Sequence, residues 1–154
     1  MPANPRMNQR HLARQVAVQA MYWTTSQPWE DLRDVIETIG KDRNLATKGR
    51  RYAFLICRQA HTARARYEEA MNSSLHNWDP ERVGRVERFI TILALAEWDL
   101  DTEDTPPKVV LTEAVMLAQE FCGEKSAAFI NGVLDSLGHR LGKLTGAPRR
   151  EPAE

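Results

Sequence analysis

"SAAFINGVLDSL", residues Ser126 to Leu137, sets a glycine inside a run whose apolar residues recur at helical spacing. Phe129, Ile130, Val133, Leu134, Leu137 and Leu141 follow a three-to-four spacing and form one stripe. A helix is expected there, with Ser126 as its N-cap. Glycine inside a helix costs about 1 kcal/mol relative to alanine. Ala128, Gly132 and Ser136 are spaced by four. That spacing predicts a narrow strip on which a neighbouring backbone seats closely, offsetting the cost. Asn131 and Asp135 fall together on a polar side.

The same period runs upstream. Leu12, Ala13, Val16, Ala17, Ala20 and Trp23 share one side of a helix from Gln9 to about Ser26. Arg10, His11, Arg14, Gln15, Val18, Gln19 and Tyr22 take the other. A short helix from about Trp29 to Ile39 stops at Gly40, and a long one runs from about Lys48 to Ser73. Asp79-Pro80-Glu81 starts a short turn. Residues 85 to 98 contain "FITILALA", apolar nearly all round, which belongs at the centre of a bundle. After the break at Thr105-Pro106-Pro107, a helix from about Lys108 to Phe121 points Val110, Ala114, Leu117, Ala118 and Phe121 inward, and Gly123 ends it. Nothing alternates convincingly like a strand. The fold class expected is an all-α bundle of about six or seven helices, one domain over residues 1–143. A disordered tail, "LTGAPRREPAE", is expected over residues 144–154.

Lys and Arg number 21, as do Asp and Glu, so the formal charge cancels and general adhesion to nucleic acid is not expected. The distribution is uneven. Residues 43–67 hold Arg43, Lys48, Arg50, Arg51, Arg58, Arg64 and Arg66 and no acid, while residues 97–124 are acid-rich. Cys57 and Cys122 read as two reduced core thiols. Cys57 and His61 are four apart, but two ligands without a third make a poor metal site. No Gly-rich phosphate loop is present. No apolar run approaches the ~18 residues of a membrane span. The first residues, MPANPRMNQR, lack an apolar signal segment, so a cytoplasmic protein with no membrane contact is expected.

"FINGVLDSL" (Phe129–Leu137) resembles the closing motif of the NusB family of bacterial transcription antitermination factors. "RHLARQVAVQAMY" (Arg10–Tyr22), "VERFITILALAEWDL" (Val86–Leu100) and "PKVVLTEAVMLAQEF" (Pro107–Phe121) are similar to its opening, central and penultimate helices, in that order. The resemblance implies an RNA-binding protein with no catalytic residue, metal or cofactor. It implies pairing with NusE, a small-subunit ribosomal protein, and binding of the pair to boxA-like single-stranded elements of nascent ribosomal RNA leaders. RNA polymerase is then held, indirectly, in an antitermination complex. A NusB-like domain also opens ribosomal RNA cytosine methyltransferases, but 154 residues leave no room for their nucleotide-binding domain, so an enzyme is not expected.

The family's RNA surface maps onto Arg10 and Arg14, with Arg6 one turn earlier extending the patch. His11 stands where an arginine is common. Phe121 and Phe129 match aromatic positions near RNA bases, although the apolar stripe reads both equally as core. Lys125 stands where an acidic or small polar residue is common and adds a charge to the RNA-binding set. Glu87 matches an acid facing NusE, and the stretch from Glu97 to Asp104 adds attraction toward a basic partner. Departures are Ile92 for an arginine, Ala96 for a tyrosine, Thr112 for an asparagine and Gln15 for a glutamate. Ile92 and His11 leave open a helical adaptor that keeps NusE but lacks sequence-specific RNA readout. The small strip on the last helix leaves open a homo-oligomer.

Overall fold

The computed structural model describes residues 5–75, 83–101 and 105–145, with side chains from Gln9 onward. The expected turn at Asp79–Glu81 and residues 146–154 of the tail lie outside them. The described residues form helices α1 (Pro5–Trp23), α2 (Leu32–Asp42, preceded by a 3-10 turn at Trp29–Asp31), α3 (Thr47–Thr62), α4 (Arg64–Ser73), α5 (Arg85–Leu100), α6 (Pro107–Cys122) and α7 (Glu124–Arg140). No strand occurs among the described residues, and the architecture is the all-α bundle expected.

Helix α5 is its axis. Every residue from Phe89 to Trp98 is buried. A helix apolar nearly all round is stable only when enclosed, and α5 packs against α1, α3, α4, α6 and α7. Ile90, Ile92 and Leu95 are fully buried, each worth about 1.5–3 kcal/mol. The buried Thr91 hydroxyl is satisfied by donating to the Glu87 carbonyl at 2.9 Å. Trp98 Nε1 donates to the Pro107 carbonyl at 3.0 Å, tying the end of α5 to the start of α6. Pro107 opens α6, where its fixed φ fits and its missing N–H is not needed.

Several local expectations are corrected. The long helix breaks at Ala63 into α3 and α4. No glycine or proline marks the break. Tertiary contacts hold α4 in its new direction: Tyr67 Oη receives a hydrogen bond from Gln59 at 2.9 Å and donates to Asp99 at 2.6 Å. Gly40 does not stop α2, which runs on to Asp42. It is buried where a Cβ would lie 2.8 Å from Cγ and Cδ of Arg50. The left-handed residue after α2 is Asn44, φ 61°. Val18 is buried, not on the solvent side of α1. Cys122 is exposed, and only Cys57 is a core thiol. Ser126 is not a cap: Gly123, at φ 106°, ends α6 and α7 begins at Glu124.

The small strip on α7 is also corrected. Ala128 and Gly132 face outward, and no atom lies within 4 Å of where a Gly132 Cβ would stand. Ile130, Val133, Leu134 and Leu137 carry the packing against α5 and α6, so the strip is left on the opposite side. The glycine that needs to be small is Gly138. A Cβ there would run into Leu144 and stand 3.1 Å from Cη2 of Trp98. Beyond it the helix closes in a Schellman motif. Lys143 N donates to the Gly138 carbonyl at 2.7 Å, Gly142 N to that of His139 at 3.1 Å, and Gly142 adopts φ 74°. Leu144, at the start of the expected tail, packs against the core.

Candidate nucleic-acid interface

Helix α1 presents Arg10, His11 and Arg14 toward α3, α5 and α6. Each is engaged there. The Arg10 guanidinium lies 3.9 Å above the Tyr52 ring and donates to Thr105 Oγ1 at 3.0 Å. The residue is half-buried. His11 is held between two carboxylates of α6, Glu113 at Nδ1 and Glu120 at Nε2, the latter at 2.7 Å. The Glu113 hydrogen bond, with both carboxylate charges, outweighs burial and raises the imidazole above its ordinary 6.5. Burial would push Glu113 up, but His11 and Arg14 together hold it below its usual range.

Arg14 is an interior residue. Its side chain is 5% exposed, and it donates to Glu97 through Nε at 2.8 Å and Nη2 at 2.6 Å. Nη1 lies 3.4 Å from Glu113. Tyr52 donates its hydroxyl to the same Glu97 carboxylate. Burial opposes the Arg14 charge, and the Glu97 hydrogen bonds and charge more than restore it. Two expectations are corrected. Arg14 is not placed to meet an RNA phosphate, and Glu97, 4% exposed, is not placed to meet a partner protein. The physical reason is mutual. A carboxylate on the buried central helix requires a matching buried cation, and α1 supplies it.

The polar network continues outward. Arg43 Nη2 donates to Gln15 Oε1 at 2.7 Å, and Gln15 Nε2 donates to Glu120 Oε2 at 2.9 Å. An amide accepts from one neighbour and donates to the other, which a glutamate at position 15 would not do. Tyr52, Thr105, Glu113 and Glu120 are site residues that the sequence reading does not include. The seven-residue spacing of Glu113 and Glu120, two turns along one face of α6, is the signal that would have found them.

Phe121 follows Glu120 in the last turn of α6 and is 40% exposed, not inward as the periodicity suggests. Lys125 is exposed in the first turn of α7. Together they form the corner where α6 turns into α7. Phe129 is 5% exposed and belongs to the core. Ile92 is fully buried, so the expected loss of an RNA contact there has no surface on which to act. Glu87 is half-buried at the start of α5 and close enough to Cys122 to help burial raise that thiol. The Arg6 side chain, Glu103 and Asp104 lie outside the described residues. Asp99, from the acid-rich stretch, pairs with Arg66 at 2.9 Å. Cys57 Sγ faces the Ala17 carbonyl at 3.6 Å in the core, whereas His61 is exposed, so the two do not converge. No described helix is long and apolar enough to cross a membrane.

Phe121 and Lys125 stand exposed at the α6–α7 corner, Arg10 is half-buried against Tyr52 and Thr105, and His11 and Arg14 are paired with carboxylates. Residues 11–139 match the model of the NusB family. A transcription antitermination protein NusB of Sorangium cellulosum is 32% identical over 139 residues, covering 90% of this chain and 97% of the relative. One from Nitratiruptor is 32% identical over 132 residues, covering 85% and 92%. Among solved structures, a chain in the crystal structure of antitermination factors NusB and NusE in complex with dsRNA is 26% identical. It superposes with a TM-score of 0.71, covering 87% of this chain and 98% of that one. A chain in the crystal structure of a plectonemic RNA supercoil gives 0.73 at 25% identity, covering 89% and 99%. On the extent of these matches, the chain belongs to the NusB family.

Proposed function

We propose that this chain pairs with NusE and binds boxA-like single-stranded RNA in nascent ribosomal RNA leaders, suppressing termination as a non-enzymatic part of an RNA polymerase complex in the cytoplasm. The observation that carries this reading is the likeness, over nearly the whole fold, to a chain in a crystal structure of NusB and NusE in complex with dsRNA. The contact set is Arg10, Phe121 and Lys125, with Arg6 extending it and His11 at its edge. Phe121 stacks on an unpaired base, and Arg10 and Lys125 meet phosphates. Glu87 serves the basic partner. A gel shift with boxA-like RNA, with and without NusE, tests this. Tighter binding with NusE and weaker binding at higher salt are expected. Equal binding of a scrambled RNA would sink the sequence-specific form.

A second reading, an adaptor for NusE without sequence-specific RNA readout, is favoured by one observation. His11 and Arg14 of α1 are paired with Glu97, Glu113 and Glu120. Recovery of NusE in a pull-down, with no RNA retained on a filter, would decide for it.

A further inference from the structure

A separate group of exposed positive charges lies on α3. Lys48, Arg51, Phe54, Arg58 and His61 recur every three to four residues along one outward face. Lys48, Arg51, Arg58 and His61 are exposed, and Phe54 is half-buried. At 1.5 Å per residue the stripe is about 20 Å long. No carboxylate pairs with Lys48, Arg51 or Arg58, nor with Arg33 of α2 beside them, among the described residues. This contrasts with Arg14 and His11, and with Arg50 of the same helix, which turns inward to Glu37 at 2.9 Å and the Leu45 carbonyl at 2.6 Å. The exposed acids at the border are Asp34, next to Arg33, and Glu30 and Asp31, next to Trp29, while Glu37 is occupied by Arg50 and Lys41.

Two aromatic contacts lie along the stripe. The Arg33 and Arg58 guanidinium carbons are 4.1 and 5.7 Å from the Phe54 ring centroid. The His61 ring lies on Trp29, with centroids 3.8 Å apart and planes within 7°. Helix stability does not explain this face. Lys48, Arg50 and Arg51 stand in the opening turns of α3, where the macrodipole disfavours cations, and no acid is present in the first turn. An anion would be attracted by the side chains and the dipole together.

We propose that the outward face of α3, with Arg33 and Trp29, is a second track for single-stranded RNA. It takes phosphates on Lys48, Arg51 and Arg58 and bases against the Phe54 and Trp29–His61 stacks. The assignment rests on RNA being the ligand of this chain, and adds a surface apart from α1 and the α6–α7 corner. A nucleotide suits the pattern better than an acidic peptide, because it brings a planar base as well as a negative charge to each repeat.

The test measures anisotropy of a labelled boxA-like RNA extended by an unstructured 3′ and 5′ flank, with the full chain and NusE, as salt is varied. The triple variant Lys48→Ala, Arg51→Ala, Arg58→Ala should flatten the slope of log K against log salt by about 2, from roughly 0.7 per lost contact. Affinity in low salt should fall at least tenfold, with an unchanged circular-dichroism spectrum. If the triple variant does not fold, Arg51→Ala and Arg58→Ala singly should each flatten the slope by about 0.7. An unchanged slope, with wild-type binding intact, overturns the second track and leaves the proposed function standing. No binding by the wild type overturns both. Poly-glutamate that displaces RNA from the wild type but not from the variant assigns the stripe to an acidic protein and also overturns the proposal.

Discussion

Replacing Arg14 by alanine separates a structural arginine from an RNA-contacting one. Its guanidinium makes two charge-assisted hydrogen bonds to Glu97, at 2.8 and 2.6 Å, with both side chains almost fully buried. Arg14→Ala leaves the Glu97 carboxylate inside the bundle, still accepting from the Tyr52 hydroxyl but with no cation beside it. Breaking one side of a buried pair costs about 3–5 kcal/mol. For a chain of this size each kcal/mol moves the midpoint by about 2–4 °C, so Tm should fall by roughly 6–20 °C. Arg14→Met combined with Glu97→Leu and Tyr52→Phe should recover most of that loss, since apolar groups of similar volume then fill the site without an orphaned charge. Thermal unfolding followed by circular dichroism measures each variant. RNA affinity of Arg14→Ala, measured well below its midpoint, should stay near the wild-type value. A Tm shift corresponding to less than about 1 kcal/mol, with RNA affinity reduced tenfold or more, would refute the argument.

Other perturbations follow from the same geometry. His11 has its folded pKa raised above 6.5, so its pairing with Glu113 and Glu120 stabilises the fold fully below 6.5 and is lost as pH rises through the raised value. The stability gap between wild type and His11→Asn should therefore close toward alkaline pH, and a gap independent of pH would count against the pairing. Glu113 has its pKa lowered from 4.5, so its contribution is present above 4.5 and disappears as pH falls through the depressed value, readable by acid titration of Glu113→Gln. Gly132→Ala, on an open helical face, should raise stability by up to about 1 kcal/mol. Gly138→Ala should not, because Trp98 and Leu144 occupy the space, and equal midpoints for the two variants would contradict that distinction. Phe121→Ala should weaken RNA binding by about 1–3 kcal/mol with little change in Tm. Phe129→Ala should destabilise the fold by about 3–5 kcal/mol.

Much of the fold is legible because burial leaves a period in the chain. "FITILALA" admits no solvated face, and in α5 that stretch has none. Leu117, Ile130, Val133 and Leu134 lie where the spacing puts them. Gly132 misleads because a four-residue strip of small side chains looks the same whether a neighbour covers it or water does. The break at Ala63 leaves no local mark, since Gln59, Tyr67 and Asp99 hold it from separate helices.

The candidate site is less legible for a related reason. A charged side chain on an amphipathic helix reads as solvated unless its partner is known. Arg14 and Glu97 are 83 residues apart, and nothing local to either announces a buried pair. His11 likewise depends on Glu113 and Glu120, more than a hundred residues away. Phe121 shows the reverse case, an aromatic at an inward-looking position that the end of α6 leaves exposed.

Binding of a boxA-like RNA and of a scrambled RNA of equal length and composition, to this chain with and without NusE in one salt, tests the central claim most directly. Preference for the boxA-like sequence, increased by NusE and reduced by Phe121→Ala, is the predicted result. Equal affinity for the two RNAs in the presence of NusE would contradict it.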